Sequence, residues 1–345
     1  MTASNIISWV ERGYVPDQVV RSGIRQLLKS RLDEIEAGDV ERGVRRRTQL
    51  IQQMNESPVA LLPELANEQH YEVPAEFFNL VLGNYRKYSC GYWREGVESL
   101  DQSESDALEA TCQRAMLEDG QRILELGCGW GSLTLWMASK YPNARVEAVS
   151  NSDSQRVYIE NQAAERGLKN IEVVTCDMND FDTSARYDRV VSIEMFEHMR
   201  NWPTLFSRVS GWLETDGKFF MHIFCHKTNA YEFVDQGDTD WMSRHFFSGG
   251  LMPSDDLALC FQEHLTLSDQ WRWSGLHYEK TANAWLRRMD DNRAEVMPVL
   301  ESVYGTDNAE IWFQRWRVFF MACAELFGFR GGREWWVSHY LFDKK

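Results

Sequence analysis

Between residues 118 and 225, short apolar runs alternate with helical stretches, and this alternation limits the fold more than any other feature of the chain. The run 122–126 reads as a buried strand, and 132–140, with Leu133, Leu135, Trp136 and Met137, as a helix. A strand follows at 144–149. A helix at 154–166 then stops before Gly167, a residue suited to the left-handed position after a helix. Strands at 171–175 and 187–193, a helix at 205–213 and a strand at 217–224 complete the series. Strands separated by helices make βαβ units with right-handed crossovers, hence an α/β fold with a mainly parallel sheet. In such sheets ligands bind outside the carboxyl ends of the strands.

The flanks read differently. Residues 1–115 are expected to be helical: Ile24, Leu27, Leu28, Leu32 and Ile35 recur at near-helical spacing with charges between them. Arg45, Arg46 and Arg47 read as a solvated helix face. The pattern breaks over 55–63 and a helix restarts at 73–78, with Pro74 near its first turn. Residues 226–345 begin as an irregular aromatic segment, with Gly249 and Gly250 beside Phe246 and Phe247. The segment reads as a lid or cap. Helices follow, and 334–342 reads as a closing strand. The chain of 345 residues, 43% hydrophobic and 26% charged, is globular in composition and long enough for one large or two ordinary domains. Its formal net charge of −15 disfavours a general polyanion binder, so no nucleic acid partner is expected. Seven cysteines without a C-x-x-C pair suggest neither a zinc knuckle nor a disulfide framework, and no metal is expected. No run approaches the roughly 20 apolar residues of a membrane span, and no signal peptide is read at the start. A soluble, cytoplasmic protein without stable membrane association is the expectation.

The chemistry concentrates at the ends of the expected strands. The first runs into Gly127-x-Gly129-x-Gly131 and straight on into a helix, with Glu125 two positions before the first glycine. Glycines let backbone approach a ligand that a Cβ would repel. Glu125 is expected to serve either a ligand ammonium or the backbone of the turn. After the second strand come Asn151 and Gln155 among serines. After the third comes Asp177 with Met178, where the bland alternative is an Asp capping a turn. After the fourth stand Glu194, Glu197 and His198, three titratable groups within five residues. Burial beside Ile193, Met195 and Phe196 would raise a carboxyl pKa, and such a group can accept a proton or hold an ammonium. The bland alternative is a helix start with acids in its first turn.

The string E-L-G-C-G-W-G at 125–131 resembles the first motif of class I S-adenosylmethionine (SAM) methyltransferases. Together with S-I-E-M-F-E-H-M, H-I-F-C-H-K, F-F-S-G-G-L-M-P-S and H-Y-x-x-T-x-x-x-W, it resembles the cyclopropane-fatty-acid-synthase superfamily, most of all its coclaurine N-methyltransferase-like branch. The resemblance runs from about residue 57 to the end. It implies a Rossmann-like SAM core at 116–225, an N-terminal region at 1–115 contributing to the lid of the SAM site, and a substrate cap with C-terminal helices at 226–345. It implies that Tyr88 and Ser89 close over SAM, that Gly127, Gly129 and Gly131 form the cofactor loop, and that Asp177 takes the adenine amino group with Met178 against the ring. Asn151 and Gln155 stand where the ribose contact is sought, and Asn151 departs from the usual acid there. In the N-methyltransferase branch, residues matching Glu194, Glu197 and His198 orient the amine and assist its deprotonation. In lipid-modifying members, residues matching Cys90, Glu197 and His222 hold a bicarbonate ion. All three types are present here, although bicarbonate is not the expectation.

The function these residues imply is methyl transfer from SAM to a small molecule, first of all an amine nitrogen, by in-line displacement and with S-adenosylhomocysteine (SAH) as product. The alternatives are cyclopropane-synthase-like transfer to an unsaturated acyl chain, or S- or C-methylation of a small metabolite. Cys90, His222 and Phe224 are counted with the substrate-binding residues. Trp241, Phe246, Phe247 and Tyr278 are candidates for holding an ammonium by cation–π contact, against the alternative of ordinary packing. Glu325, an acid in an apolar helical run, either faces the pocket or pairs with Arg315 or Arg317. A monomer or homodimer is expected.

Overall fold

The computed structural model describes residues 3–61, 73–233 and 241–345. The 55–63 break and the 226–253 cap segment extend in part beyond these residues. The chain opens with α1 Ala3–Glu11, α2 Asp17–Glu34, α3 Val40–Glu56, α4 Ala75–Val81 and α5 Leu100–Arg114. The core then runs β1 Arg122–Leu126, α6 Ser132–Lys140, β2 Arg145–Ser150, α7 Asp153–Glu165, β3 Ile171–Thr175, β4 Tyr187–Ile193, a 3₁₀ turn Phe196–His198, α8 Trp202–Trp212 and β5 Leu213–His226. The remainder comprises β6 Tyr231–Glu232, α9 Trp241–His245, β7 Leu251–Met252, β8 Leu265–Trp273, α10 Gly275–Asp291, α11 Arg293–Tyr304, α12 Thr306–Gly328 and β9 Trp335–Lys344. No described helix is long and apolar enough to cross a membrane.

The main sheet has the order β3-β2-β1-β4-β5-β9-β8, parallel through β5 and antiparallel at β9 and β8. The expected alternation is thus an α/β sheet covered on both faces. Side chains alternate across it: Leu124 and Val190 pack with α8 and α3, whereas Ile123 and Val191 pack with α5 and α6. Local chemistry sets the helix ends. Ser152 Oγ accepts the Gln155 amide at the start of α7, and Asn201 Oδ1 accepts the Thr204 amide at the start of α8. Gly167, at φ +69°, follows α7 as its left-handed stop. The closing strand appears as β9, inserted between β5 and β8.

Strand β8 lies in a stretch that the sequence reading left without a strand. Leu265, Leu267, Trp271 and Trp273 do alternate with polar residues, but the polar run Ser268, Asp269 and Gln270, where the register to β9 shifts, interrupts the pattern midway along this half-exposed edge strand. It is held by its ladder to β9 and by one buried acid. Asp255 receives the Arg272 guanidinium, the Trp336 indole N–H at 3.0 Å and the Ser338 hydroxyl, and its own carbonyl accepts the Tyr340 hydroxyl at 2.6 Å. Burial works to raise this carboxyl pKa, but the Arg272, Ser338 and Trp336 donors outweigh it and hold it below the ordinary value. The stability it contributes is therefore present above the ordinary carboxylate range and lost as pH falls through the depressed value. Helices from both ends of the chain share a second apolar cluster, in which Val20 and Leu32 of α2, Phe77 and Phe78 of α4, Trp285 of α10 and Trp316 of α12 pack together. Glu325 on α12 pairs with Arg21 at 3.0 Å and Arg25 at 2.7 Å, both on α2, and not with Arg315 or Arg317. Asp255→Ala is expected to cost about 2–3 kcal/mol in urea unfolding, with the deficit shrinking at acid pH. A deficit independent of pH would show that the charge is not what holds the edge.

Candidate active site

The carboxyl ends of β1 to β4 open on a cleft enclosing about 770 Å³, part of it open to solvent, within the range of small-molecule sites. Its walls include Gly127, Gly129, Asn151, Gln155, Asp177, Met178, Glu194 and His198. The loop after β1 is tied to β2, since the amides of Gly127 and Cys128 both donate to Val149 O at 3.0 Å. The three glycines differ in what they do. A Cβ on Gly127 would meet Met195 at 2.5 Å, and one on Gly131 would meet Ile159 at 2.5 Å, so packing demands those two. Only Gly129, at φ +53°, faces open space. Gln155 accepts the Ser150 hydroxyl at 2.6 Å, while its Nε2 has no partner among the described residues and remains a donor for a guest. Asp177 does cap a turn, its Oδ1 accepting the Asn179 amide at 2.6 Å, yet it also lines the cleft. Glu125 is turned away: it is buried and accepts the Thr134 hydroxyl at 2.5 Å. Its partner is thus a side chain on α6, and neither the cleft nor the backbone of the turn, the two roles expected for it.

Glu194 follows β4 at φ +49°, a left-handed conformation unusual for a side chain of this size and of a kind that gathers at functional sites. This backbone, anchored by Glu194 N–H donating to His222 O at 2.9 Å, sets the carboxylate between three donors. Oε1 lies 3.0 Å from the Cys90 amide and 3.1 Å from His222 Nε2, and Oε2 accepts the Tyr278 hydroxyl at 2.6 Å. Burial raises the Glu194 carboxyl pKa, against the Lys87 ammonium, the Tyr278 hydroxyl and the Cys90 amide. Glu197 is fully buried. Its Oε1 accepts the Phe224 amide at 2.7 Å, and its Oε2 has no partner among the described residues. Burial, then the neighbouring Glu194 charge, pushes its carboxyl pKa well up. His198 lines the cleft, and burial brings its pKa down to about 4, so its imidazole is neutral at neutral pH.

The aromatic candidates separate. Ring contacts lead from His198 to Phe247 at 4.7 Å, on to Phe224 at 5.8 Å and Phe327 at 6.0 Å, and to Tyr278, stacked on Phe327 at 4.2 Å. This chain of rings starts and ends beside the two acids. Trp241 and Phe246 are not on it. Trp241 Nε1 donates to Glu11 at 2.9 Å, and Phe246 is fully buried against Phe319 and Trp316. Both belong to ordinary packing, as Glu325 belongs to the α2–α12 ion pairs. Cys90 contributes its amide, while its thiol turns to Gly91 O. Tyr88 packs between Phe78 and Trp285, and Ser89 accepts from Lys87 at 2.5 Å; neither is on the cleft wall.

Lys87 is a residue that sequence reading missed. It is buried, its ammonium also donates to Cys90 O at 2.9 Å, and burial lowers its pKa against the Glu194 charge. Glu104 braces the same segment by accepting the Gly83 and Tyr85 amides at 2.9 Å each, and burial lifts its pKa to about 7. A lysine directly before Tyr88 was the available signal, but adjacency along the chain does not reveal burial. Among the described residues no cluster of three or more His, Cys, Asp or Glu is placed to hold a metal ion.

The sequence profile described as mycolic acid cyclopropane synthetase matches residues 63–332. An (S)-coclaurine N-methyltransferase of Thalictrum flavum subsp. glaucum is 36% identical over 344 residues, 99% of this chain and 95% of that protein. The cyclopropane-fatty-acyl-phospholipid synthase of Escherichia coli (strain K12) is 27% identical over 277 residues, 79% of this chain and 67% of that protein. A crystal structure of coclaurine N-methyltransferase bound to N-methylheliamine and SAH superposes with a TM-score of 0.95 at 36% identity, covering 99% of each chain.

Two outcomes follow from the geometry. Gly129→Val places a β-branched residue at positive φ with its methyls in the cleft. Calorimetry is expected to show SAH affinity reduced at least about tenfold, or about 1.4 kcal/mol, and native affinity would mean that the guest lies elsewhere. The His198 imidazole is expected to titrate by NMR near its lowered value of about 4, and titration at the ordinary histidine value would mean that the ring is hydrated.

Proposed function

Within the mycolic acid cyclopropane synthetase family, to which the chain belongs, it is a SAM-dependent methyltransferase, and we propose that its acceptor is the nitrogen of a small amine carried on an apolar, ring-sized body. The observation that carries this reading is the Glu194 carboxylate, fixed by the Cys90 amide, His222 and Tyr278 at the cleft wall. In the lipid-modifying reading, Cys90 and His222 would surround bicarbonate. Here both are directed at a tethered side-chain anion, with which a free ion would have to compete.

The cleft fits the cofactor in size and in donor set, with open space at Gly129, the Gln155 Nε2 that has no partner among the described residues, and Asp177 and Met178 on its walls. Bound there, SAM supplies an electrophilic methyl group. The chain's own residues do the rest. A protonated amine has no lone pair, so a group must first draw it in and then take its proton. Glu194, whose oxygens already accept three hydrogen bonds, acts as the fixed anion that attracts the ammonium. Glu197 offers a buried carboxylate oxygen without a donor among the described residues and a raised proton affinity, the properties of the proton acceptor. Neutral His198 lends a polar edge without adding repulsive charge. Phe224, Phe247, Phe327 and Tyr278 hold the body of the substrate, and an ammonium over such faces gains about 0.5–2 kcal/mol each. Ordering the two reactants in a dry site removes up to roughly 7–11 kcal/mol of barrier in ideal systems.

Glu197→Gln would set an amide N–H₂ against the substrate N–H. The expected outcome is a fall of about 10²–10⁴ in kcat/KM with SAH affinity retained; full turnover would remove Glu197 from the reaction. Methyl-labelled SAM offered together with an amine panel and phospholipid vesicles is expected to label amines. Label in the acyl chains would reverse the assignment in favour of the lipid reaction.

A further inference from the structure

The run F-F-S-G-G at 246–250 winds into a tight loop beside the two acids. Its main chain is pinned on both sides of Phe247. The Phe247 amide donates to Met242 O at 3.0 Å, and the Ser248 hydroxyl donates to Ser243 O. Gly249 O accepts Arg200 Nη2 at 3.3 Å, and Arg200 pairs in turn with Glu232 on β6. Gly250 is buried, and its carbonyl accepts the Phe233 amide at 2.9 Å where β6 and β7 meet.

Across this loop the Phe247 ring folds back over Gly250. A Cβ on Gly250 would come closer than 3.0 Å to three carbons of that ring, and these are the nearest atoms it would meet. Gly250 is not among the glycines at positive φ, so its main chain suits an alanine and only the space is lacking. The other neighbours of the ring are Phe233, edge to face at 4.9 Å, His198 at 4.7 Å and Phe224 at 5.8 Å. With the main chain held at both residues, the ring has one way to admit a Cβ, which is to leave its rotamer. Rotamers are a few discrete wells, so the response is a jump and not a small drift. The ring is only half-buried, so a jump need not break up its surroundings.

Resting on the reading of Phe247 as a wall of the acceptor site, we propose that Gly250 is a positioning residue for acceptor recognition: its missing Cβ seats the Phe247 ring beside His198 and Phe224, and the ring in that seat is the face on which a ring-bearing amine lies. Gly250 touches neither acceptor nor SAM in this account and acts through Phe247 alone. Its substitution therefore weakens the hold on the acceptor and leaves the methyl donor bound as before.

The test is a double-mutant cycle in the full chain, read as KM for a bicyclic secondary amine and as SAH affinity by calorimetry. Gly250→Ala is expected to raise KM about tenfold, the worth of one aromatic contact, with native SAH affinity. Phe247→Ala is expected to raise KM by a similar factor. In the Phe247→Ala background, Gly250→Ala is expected to change KM by less than about twofold, because the ring it displaces is gone. A native KM in Gly250→Ala overturns the proposal. So does a second rise of similar size on top of Phe247→Ala, or a loss of SAH affinity in parallel with KM, which would make Gly250 a general packing residue. If Gly250→Ala alone does not fold, the double variant decides: folding and SAH affinity recovered, with the KM of Phe247→Ala, uphold the proposal, and failure to recover overturns it. If the native protein labels acyl chains and no amine, the amine reading falls, and the seat is judged by the same cycle on acyl-chain turnover.

Discussion

The Glu194 carboxylate collects donors from parts of the chain that are far apart in sequence: the Cys90 amide ahead of α5, His222 on β5 and the Tyr278 hydroxyl on α10. A charge taken out of water is costly unless it is paired and hydrogen-bonded. Each of these contacts therefore fixes the position of an element relative to β4. The left-handed backbone of Glu194 is strain of about 1–3 kcal/mol, offset by what the carboxylate finds once it is turned this way.

The surroundings explain how an acid persists there. Lys87 opposes the Glu194 charge from within the same buried segment whose ends are braced by Glu104 and by Ser89. Two buried histidines nearby are held neutral, so they add no competing proton. Glu197 stands behind with Oε1 bonded to the Phe224 amide and Oε2 without a partner among the described residues. The two carboxyls thus meet different surroundings, which the proposed function uses for attraction in one and for proton uptake in the other. The two acids are three residues apart in the chain, but the 3₁₀ turn Phe196–His198 gives them different environments.

The same layout accounts for a family whose members carry names from both amine and lipid chemistry. In the proposed arrangement SAM meets strand ends and a glycine loop, whose places are set by backbone. The proposed acceptor side is built by side chains from β5, α10, α12 and the segment after α9. In that reading, a carboxylate at the end of β4 gives the acceptor side its own anion.

Much of this was legible along the chain. The limits of β1, α6, β3 and β4 follow from local apolar periodicity and turn residues, because strand and helix periods are properties of neighbouring residues. So is the grouping of Gly129, Asn151, Asp177, Glu194 and His198 at one sheet edge, since parallel topology sends strand ends to the same side. Only the tertiary structure decided which aromatic rings meet the acids. Phe247 and Phe246 are adjacent in sequence, yet one contacts His198 and the other is sealed in a helical cluster. Only it revealed Lys87, whose part depends on burial and on the Glu194 charge more than a hundred residues away. It also assigned Gly127 and Gly131 to packing and Glu125 to Thr134, because a residue's type states what it is able to bond, while its neighbours in space determine what it does bond.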